Sequence, residues 1–308
     1  MSRTGYILAS LLGVLLLRTV PAAATTITVN CNEKMTIGKA ITFLNPMESN
    51  TIRVIGTCNE FVAFSGFTQL SFVGVNSASG QAAVKSSNGT AFWIVGSNVQ
   101  LSNFMFESSV ICRDFSVCNF SGNTVENASG LGVWLDNASG TFNGDQFTNN
   151  VNSGLTLSAS RARLSSVTVT GTSAGPNGPG NGIDVDGGST ITADQLTVKG
   201  NHGAGISLIG NSQLINQYWV GPLTVSDNAN GGIWVAQNSS TDLSGATVVA
   251  NTGAAGVVIT GNSEAAFWGG GTFTGNTAGD VFCGPLNGVA ASPQSATIGV
   301  TNCPNTYQ

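Results

Sequence analysis

Apolar and polar residues alternate in short bursts along most of this chain, and the bursts are separated by glycine, asparagine or serine. In the second half they share one phrase, a glycine followed by aliphatic residues at alternate positions. It reads Gly132-Val-Trp-Leu135, Gly154-Leu-Thr-Leu157, Gly182-Ile-Asp-Val185, Gly205-Ile-Ser-Leu208, Gly232-Ile-Trp-Val235 and Gly256-Val-Val-Ile259, and it recurs every 22 to 28 residues. A period of two predicts strands with one buried face. Recurrence at this spacing predicts a solenoid.

Each repeat holds more than one burst. After Gly182-Ile-Asp-Val185 come Thr190-Ile-Thr192, then Gln195-Leu-Thr-Val198, then the turn Gly200-Asn201. Three short strands joined by tight turns describe one rung of a parallel coil. Stacking the rungs gives two inward columns: Val133, Leu155, Ile183, Ile206, Ile233 and Val257, and then Leu135, Leu157, Val185, Leu208, Val235 and Ile259. All are aliphatic, as packing like on like requires. Asn150, Asn201, Asn228 and Asn251 precede the phrase by four or five residues. Asparagine tolerates left-handed turns and can hydrogen-bond to its counterpart one rung away, so these are expected to form a structural ladder.

Towards the N-terminus the pattern loosens. Residues 51–55, 69–73, 91–94 and 99–106 still read as strands. Ile37, Ala40, Ile41 and Leu44 have helical spacing that stops at Asn45-Pro46, which predicts a helix plugging the open end of the coil.

These features, spread over about residues 27–283, resemble the right-handed parallel β-helix proteins of the pectate-lyase-like superfamily. The resemblance implies an all-β fold, a right-handed parallel β-helix with an N-terminal capping helix. It implies little about activity, because that superfamily holds lyases, hydrolases, epimerases, esterases and adhesins.

The first residues read as an export signal. Arg3 precedes an apolar run from Gly5 to Leu17, and Ala22-Ala23-Ala24 offers a cleavage site. The expected organisation is a signal peptide over 1–24 and one domain over 25–308, with caps at 25–50 and 283–308 and coils over 51–282. The expected location is secreted, extracellular or periplasmic, with no transmembrane segment beyond the signal. Cleavage would leave 8 basic against 15 acidic residues and no basic cluster, which argues against nucleic acid as a partner. Six cysteines in an exported chain point to disulfides. Proximity favours Cys31–Cys58, Cys112–Cys118 and Cys283–Cys303 among fifteen connectivities.

Residues between the inward columns point outward. The first outward column is Trp134, Thr156, Asp184, Ser207, Trp234 and Val258; the second is Asp136, Ser158, Asp186, Ile209, Ala236 and Thr260. Asp184 and Asp186 share one strand face with Cα atoms roughly 6.5–7 Å apart. Such a pair suits acid–base work or Ca²⁺, the one cofactor the residues suggest. The longest insertion, 171–181, enters the same rung, and the only histidine, His202, falls in the next turn. Trp134 and Trp234 sit four rungs apart, roughly 19 Å, so each can stack on a different sugar.

The resemblance also supplies tests. Polygalacturonases begin successive rungs with an Asn-x-Asp-Gly phrase, an Asp-Asp pair and a Gly-His-Gly phrase; aligned on the strand glycines, those groups fall here on Asn181, Gly203-Ala204 and Gly231. Pectate lyases set a basic residue against Ca²⁺-binding acids, whereas Arg161, Arg163 and Lys199 lie on other strands. The reading is therefore a non-catalytic face for extracellular polysaccharide or a cell-surface component, with Trp134, Asp136, Asp184, Asp186 and Trp234 as contacts. The alternative is a polysaccharide lyase or hydrolase centred on Asp184, Asp186 and His202.

Overall fold

The structure, a computed structural model, describes residues 24–77, 80–217, 219–267, 269–284 and 296–303; residues 1–23 of the expected signal segment 1–24 and most of the expected C-terminal cap lie outside them. Wherever the period of two runs, strand forms, and the strand ladders are parallel. Ten strands, one per rung, stack in sequence order into a single sheet that starts at Val62–Ser65 and ends at Val281–Cys283. This sheet carries the glycine phrase. Twenty further strands form the rest of the coil.

Register follows the phrase without slippage. Val133 pairs Leu155, then Ile183, Ile206, Ile233 and Val257 in turn. Every member of the two inward columns is at most 1% exposed. Nearer the N-terminus the core is aromatic instead, with Phe72 against Phe92 at 5.1 Å and Phe120 stacked on Phe142 at 4.6 Å.

The second and third strands of a rung merge in two places. Arg161–Thr170 and Thr190–Lys199 each run through a single left-handed residue, Ser166 or Gln195, that turns the corner without ending the ladder. The coil also reaches into the segments expected to be caps. Thr25–Asn30 pairs with residues 50–55, and Ala296–Ile298 with residues 271–273. Between the first two strands lies the helix Ile37–Ile41, one short turn whose Ile37 and Ala40 join the core together with Leu44. Thr36 Oγ1 accepts from Lys39 N at 3.3 Å, and Glu60 takes the Ile37 and Gly38 amides at 2.6 and 3.0 Å. All three expected disulfides are formed.

The asparagine ladder differs from expectation at one rung. Asn201 Nδ2 donates to Asn228 Oδ1, Asn228 to Asn251 and Asn251 to Asn276, at 2.8 to 2.9 Å. Asn276 then donates to Asp280 Oδ1 at 2.9 Å. Burial alone would raise the Asp280 carboxyl, but its hydrogen bonds from Asn276 and Val300 outweigh that and hold it below the usual range. Asn150 is not joined to Asn201, because Thr172 occupies the intervening rung where the 171–181 insertion begins. A second ladder of serines was not anticipated. Ser160 N donates to Ser189 Oγ, Ser212 N to Ser239 Oγ and Ser239 N to Ser263 Oγ, at 2.9 to 3.1 Å.

One buried acid gives the fold a pH signature. Asp145 is 1% exposed and accepts from Asn123 N, Asn123 Nδ2 and Asn143 N. Burial nevertheless pushes its carboxyl from 3.8 up to about 6. The folded chain holds this proton more tightly than the unfolded chain does. The resulting stabilisation is fully present below the unfolded value and is lost as pH rises through the folded one. Between pH 4 and 7 wild type should lose about 2 kcal/mol relative to Asp145→Asn, measured by urea unfolding of both. A difference that stays constant across that range would contradict the assignment.

Candidate functional site

Alternation on the glycine-phrase sheet aligns Trp134, Thr156, Asp184, Ser207 and Trp234 in one outward column. Arg113, Asp136, Ser158 and Asp186 form the next. Over the Thr156 and Asp184 rungs the 171–181 insertion folds back. Gly175 and Gly178 exchange backbone hydrogen bonds at 3.0 and 3.4 Å, closing a tight hairpin. Asn152 anchors it: its Oδ1 accepts from Asn177 N at 3.2 Å and its carbonyl from Gly180 N at 3.1 Å. A Cβ on Gly175 would fall 2.4 Å from that Oδ1, so only glycine lets the loop seat there.

Loop and sheet together bound a cavity of about 480 Å³. Trp134, Thr156, Asp184 and Asp186 line it from the sheet, and Asn177, Gly178 and Pro179 from the loop. Its size suits a small organic ligand or one unit of a polymer. Two of its lining residues each carry a solvent-shielded hydrogen-bonding atom with no protein partner, Trp134 Nε1 and Thr156 Oγ1. Buried polar groups ordinarily find partners, so such a pair is informative.

Asp184 is oriented from behind. Asn181 Nδ2 donates to its Oδ1 at 2.6 Å, and Asn181 Oδ1 accepts from Ala204 N at 2.8 Å, pinning the amide on both sides. Burial raises the Asp184 carboxyl, hydrogen bonds from Asn181 and Ser153 oppose that, and the charge of Asp186 adds to the rise. A raised carboxyl can donate as well as accept. For Ca²⁺ the donor set is thin. The ion takes six to eight oxygens, and among the described residues no third acid clusters with Asp184 and Asp186. A Ca²⁺ ion here would draw most of its ligands from water or from a bound glycan.

A family model described as a right handed beta helix region matches residues 108–278. The chain belongs to the right-handed β-helix family. A search of curated proteins gives no match. Among solved structures, an alginate lyase from Paenibacillus sp. str. FPU-7 superposes with a TM-score of 0.52 at 12% identity, over 91% of this chain and 99% of that one. The pectate lyase Pel9A gives 0.45 at 14% identity, over 91% and 78%. The catalytic unit of an α-1,3-glucanase from Streptomyces thermodiastaticus gives 0.45 at 16%, over 91% and 71%. At these identities the likeness is one of fold alone.

Within this right-handed β-helix the expected site residues separate. Trp134, Asp184 and Asp186 meet at the cavity. Trp234 lies two rungs beyond Asp184 in the same column, outside the cavity lining. His202 is exposed in the turn, its Nδ1 3.2 Å from the Pro179 carbonyl, and it is not among the residues that line the cavity. Asp136 is engaged elsewhere: Arg113 Nη2 lies 3.0 Å from its Oδ2, while the Arg113 guanidinium sits 5.2 Å from the centre of the Trp93 ring. The outward columns are not uniformly exposed either. Thr156 lies beneath the insertion in the cavity wall, and Val258 and Ala236 are also buried.

Arg113 and Trp93 escaped the reading of the sequence. They occupy the same outward columns, but their rungs begin Ser109-Val-Ile-Cys112 and Ala91-Phe-Trp-Ile94, without the glycine that marks later rungs. Aligning the strands on their inward apolar pairs, and not on glycine, would have found both.

Proposed function

We propose that this β-helix protein is exported and binds a polysaccharide along the outward face of its glycine-phrase sheet, seating one sugar in the cavity under the 171–181 loop. The observation that carries this reading is the cavity wall itself. An aromatic ring, Trp134, lines the same cavity as the carboxylates of Asp184 and Asp186 two rungs away, and Trp134 Nε1 and Thr156 Oγ1 have no protein partner. A sugar offers an apolar ring face and hydroxyls that both donate and accept, which matches that set. Trp234, further along the column, extends the face for a longer chain. Export is supported by the apolar leader, by three disulfides and by the lack of any helix, among the described residues, long and apolar enough to cross a membrane.

Affinity electrophoresis through gels containing single polysaccharides tests the reading. Wild type should be retarded by at least one glycan, and Trp134→Ala should weaken that retention about tenfold, with a smaller effect for Trp234→Ala. Equal mobility of wild type and Trp134→Ala across a broad panel would remove the binding face. N-terminal sequencing of secreted protein should begin near Thr25.

One observation favours a second, catalytic reading. The raised carboxyl of Asp184 beside Asp186 has the character of a general acid next to a second carboxylate. Under that reading Asp184→Asn abolishes release of reducing or unsaturated sugars from a substrate that wild type cleaves. A wild type inactive on the whole panel would retire it.

A further inference from the structure

Resting on the glycan-binding reading, we propose that the cavity selects uncharged sugar units and excludes uronate-bearing ones. Four facts converge. The lining contains two carboxylates and no lysine, arginine or histidine. The cation of the neighbouring column, Arg113, is held by Asp136 and Asp114 and stands three rungs from Asp186. Thr156, 9% exposed, lines the cavity, and its Oγ1 has no protein partner. Trp134 Nε1 is a donor without an acceptor.

The complement of that wall is a set of hydroxyls. Carboxylates accept from hydroxyl hydrogens, and the indole packs against the apolar face of a sugar ring. A uronate carboxylate brings acceptors only. Placed here it would face Asp184 and Asp186 with no cation among the lining residues to offset them, a like-charge encounter that costs more in a partly enclosed cavity than in open water. The chain as a whole adds to this discrimination, with 15 acidic against 10 basic residues repelling polyanions at a distance.

The test is titration at pH 8 with neutral glycans (xyloglucan, mixed-linkage β-glucan, galactomannan, dextran) and acidic ones (polygalacturonate, alginate), each in EDTA and in CaCl₂. At least one neutral glycan should bind, with both acidic glycans about tenfold weaker or more. Asp184→Asn combined with Asp186→Asn should narrow that gap about tenfold, and Asp186→Asn alone should narrow it in part if the double variant fails to fold. An acidic glycan bound as tightly as the best neutral one, with or without Ca²⁺, overturns the selectivity. So does a gap that the carboxamide variants leave unchanged. If Trp134→Ala still weakens that acidic binding, the face stands and only the selectivity fails. Failure of every glycan to bind overturns the face and the selectivity together.

Discussion

Ile206→Asp should abolish the cooperative native fold. Ile206 is fully buried, paired in register with Ile183 on one side and Ile233 on the other. The substitution removes a branched aliphatic side chain and leaves a carboxylate with no charge partner in a column of hydrocarbon. Loss of the side chain alone costs roughly 2–5 kcal/mol, and the buried charge adds several more. The total is comparable with the whole stability of an ordinary domain, about 5–15 kcal/mol. The coil cannot isolate the damage by opening an end, because the rung is internal and neighbours depend on it for their own inward faces. Ser207→Asn is the matched control. It changes the next residue on the outward face and should shift stability by no more than about 0.5 kcal/mol. Circular dichroism melts and limited proteolysis of the two variants separate the cases. A native melt for Ile206→Asp would mean the inward and outward columns have been exchanged.

That pair of variants also explains why so much of the fold was legible. With a period of two, a one-residue slip would exchange every inward side chain for an outward one. The six glycine phrases therefore determined register, burial and the outward columns together. Asn201 and Asn228 were legible for a similar reason, since each lies four residues ahead of a strand glycine. Other features carry no such mark. Ser160 with Ser189, and Ser212 with Ser239 and Ser263, form two ladder segments, but serine is so common in this chain that their spacing does not stand out. The break at Thr172 comes from a threonine at the turn position that asparagine fills on the rungs either side. The cavity is less legible still. It exists because the 171–181 loop folds back onto Asn152, a contact between rungs that no spacing encodes. Asp184 and Asp186 were recognisable as a pair on one face. Only folding brings Trp134 and Thr156 into one wall with them, whereas His202 and Asp136 contact other partners.

Asn251→Ala should cost the protein about 3–5 kcal/mol, more than a single surface hydrogen bond can explain. The amide of Asn251 is fully buried and serves two rungs at once. Its Oδ1 accepts from Asn228 N at 3.1 Å and Asn228 Nδ2 at 2.9 Å. Its Nδ2 donates to Asn276 Oδ1 at 2.9 Å and to the Val225 and Val249 carbonyls at 3.2 and 3.1 Å. Alanine leaves the Asn228 donors without their acceptor, in a turn that water does not reach. Each orphaned buried group costs about 1–3 kcal/mol, and the ladder is polarised along its length, so the losses compound. Asn251→Asp separates hydrogen bonding from shape. It keeps the acceptor for Asn228 but sets a carboxylate oxygen against Asn276 Oδ1 and the two carbonyls, so it should be at least as damaging at neutral pH and recover partly in acid, where a protonated carboxyl can donate. Chemical unfolding of the three proteins at pH 4 and pH 7 decides the matter. If Asn251→Ala loses less than about 1 kcal/mol, the asparagine column fills the turns without holding them, and the stability of the coil rests on its aliphatic columns alone.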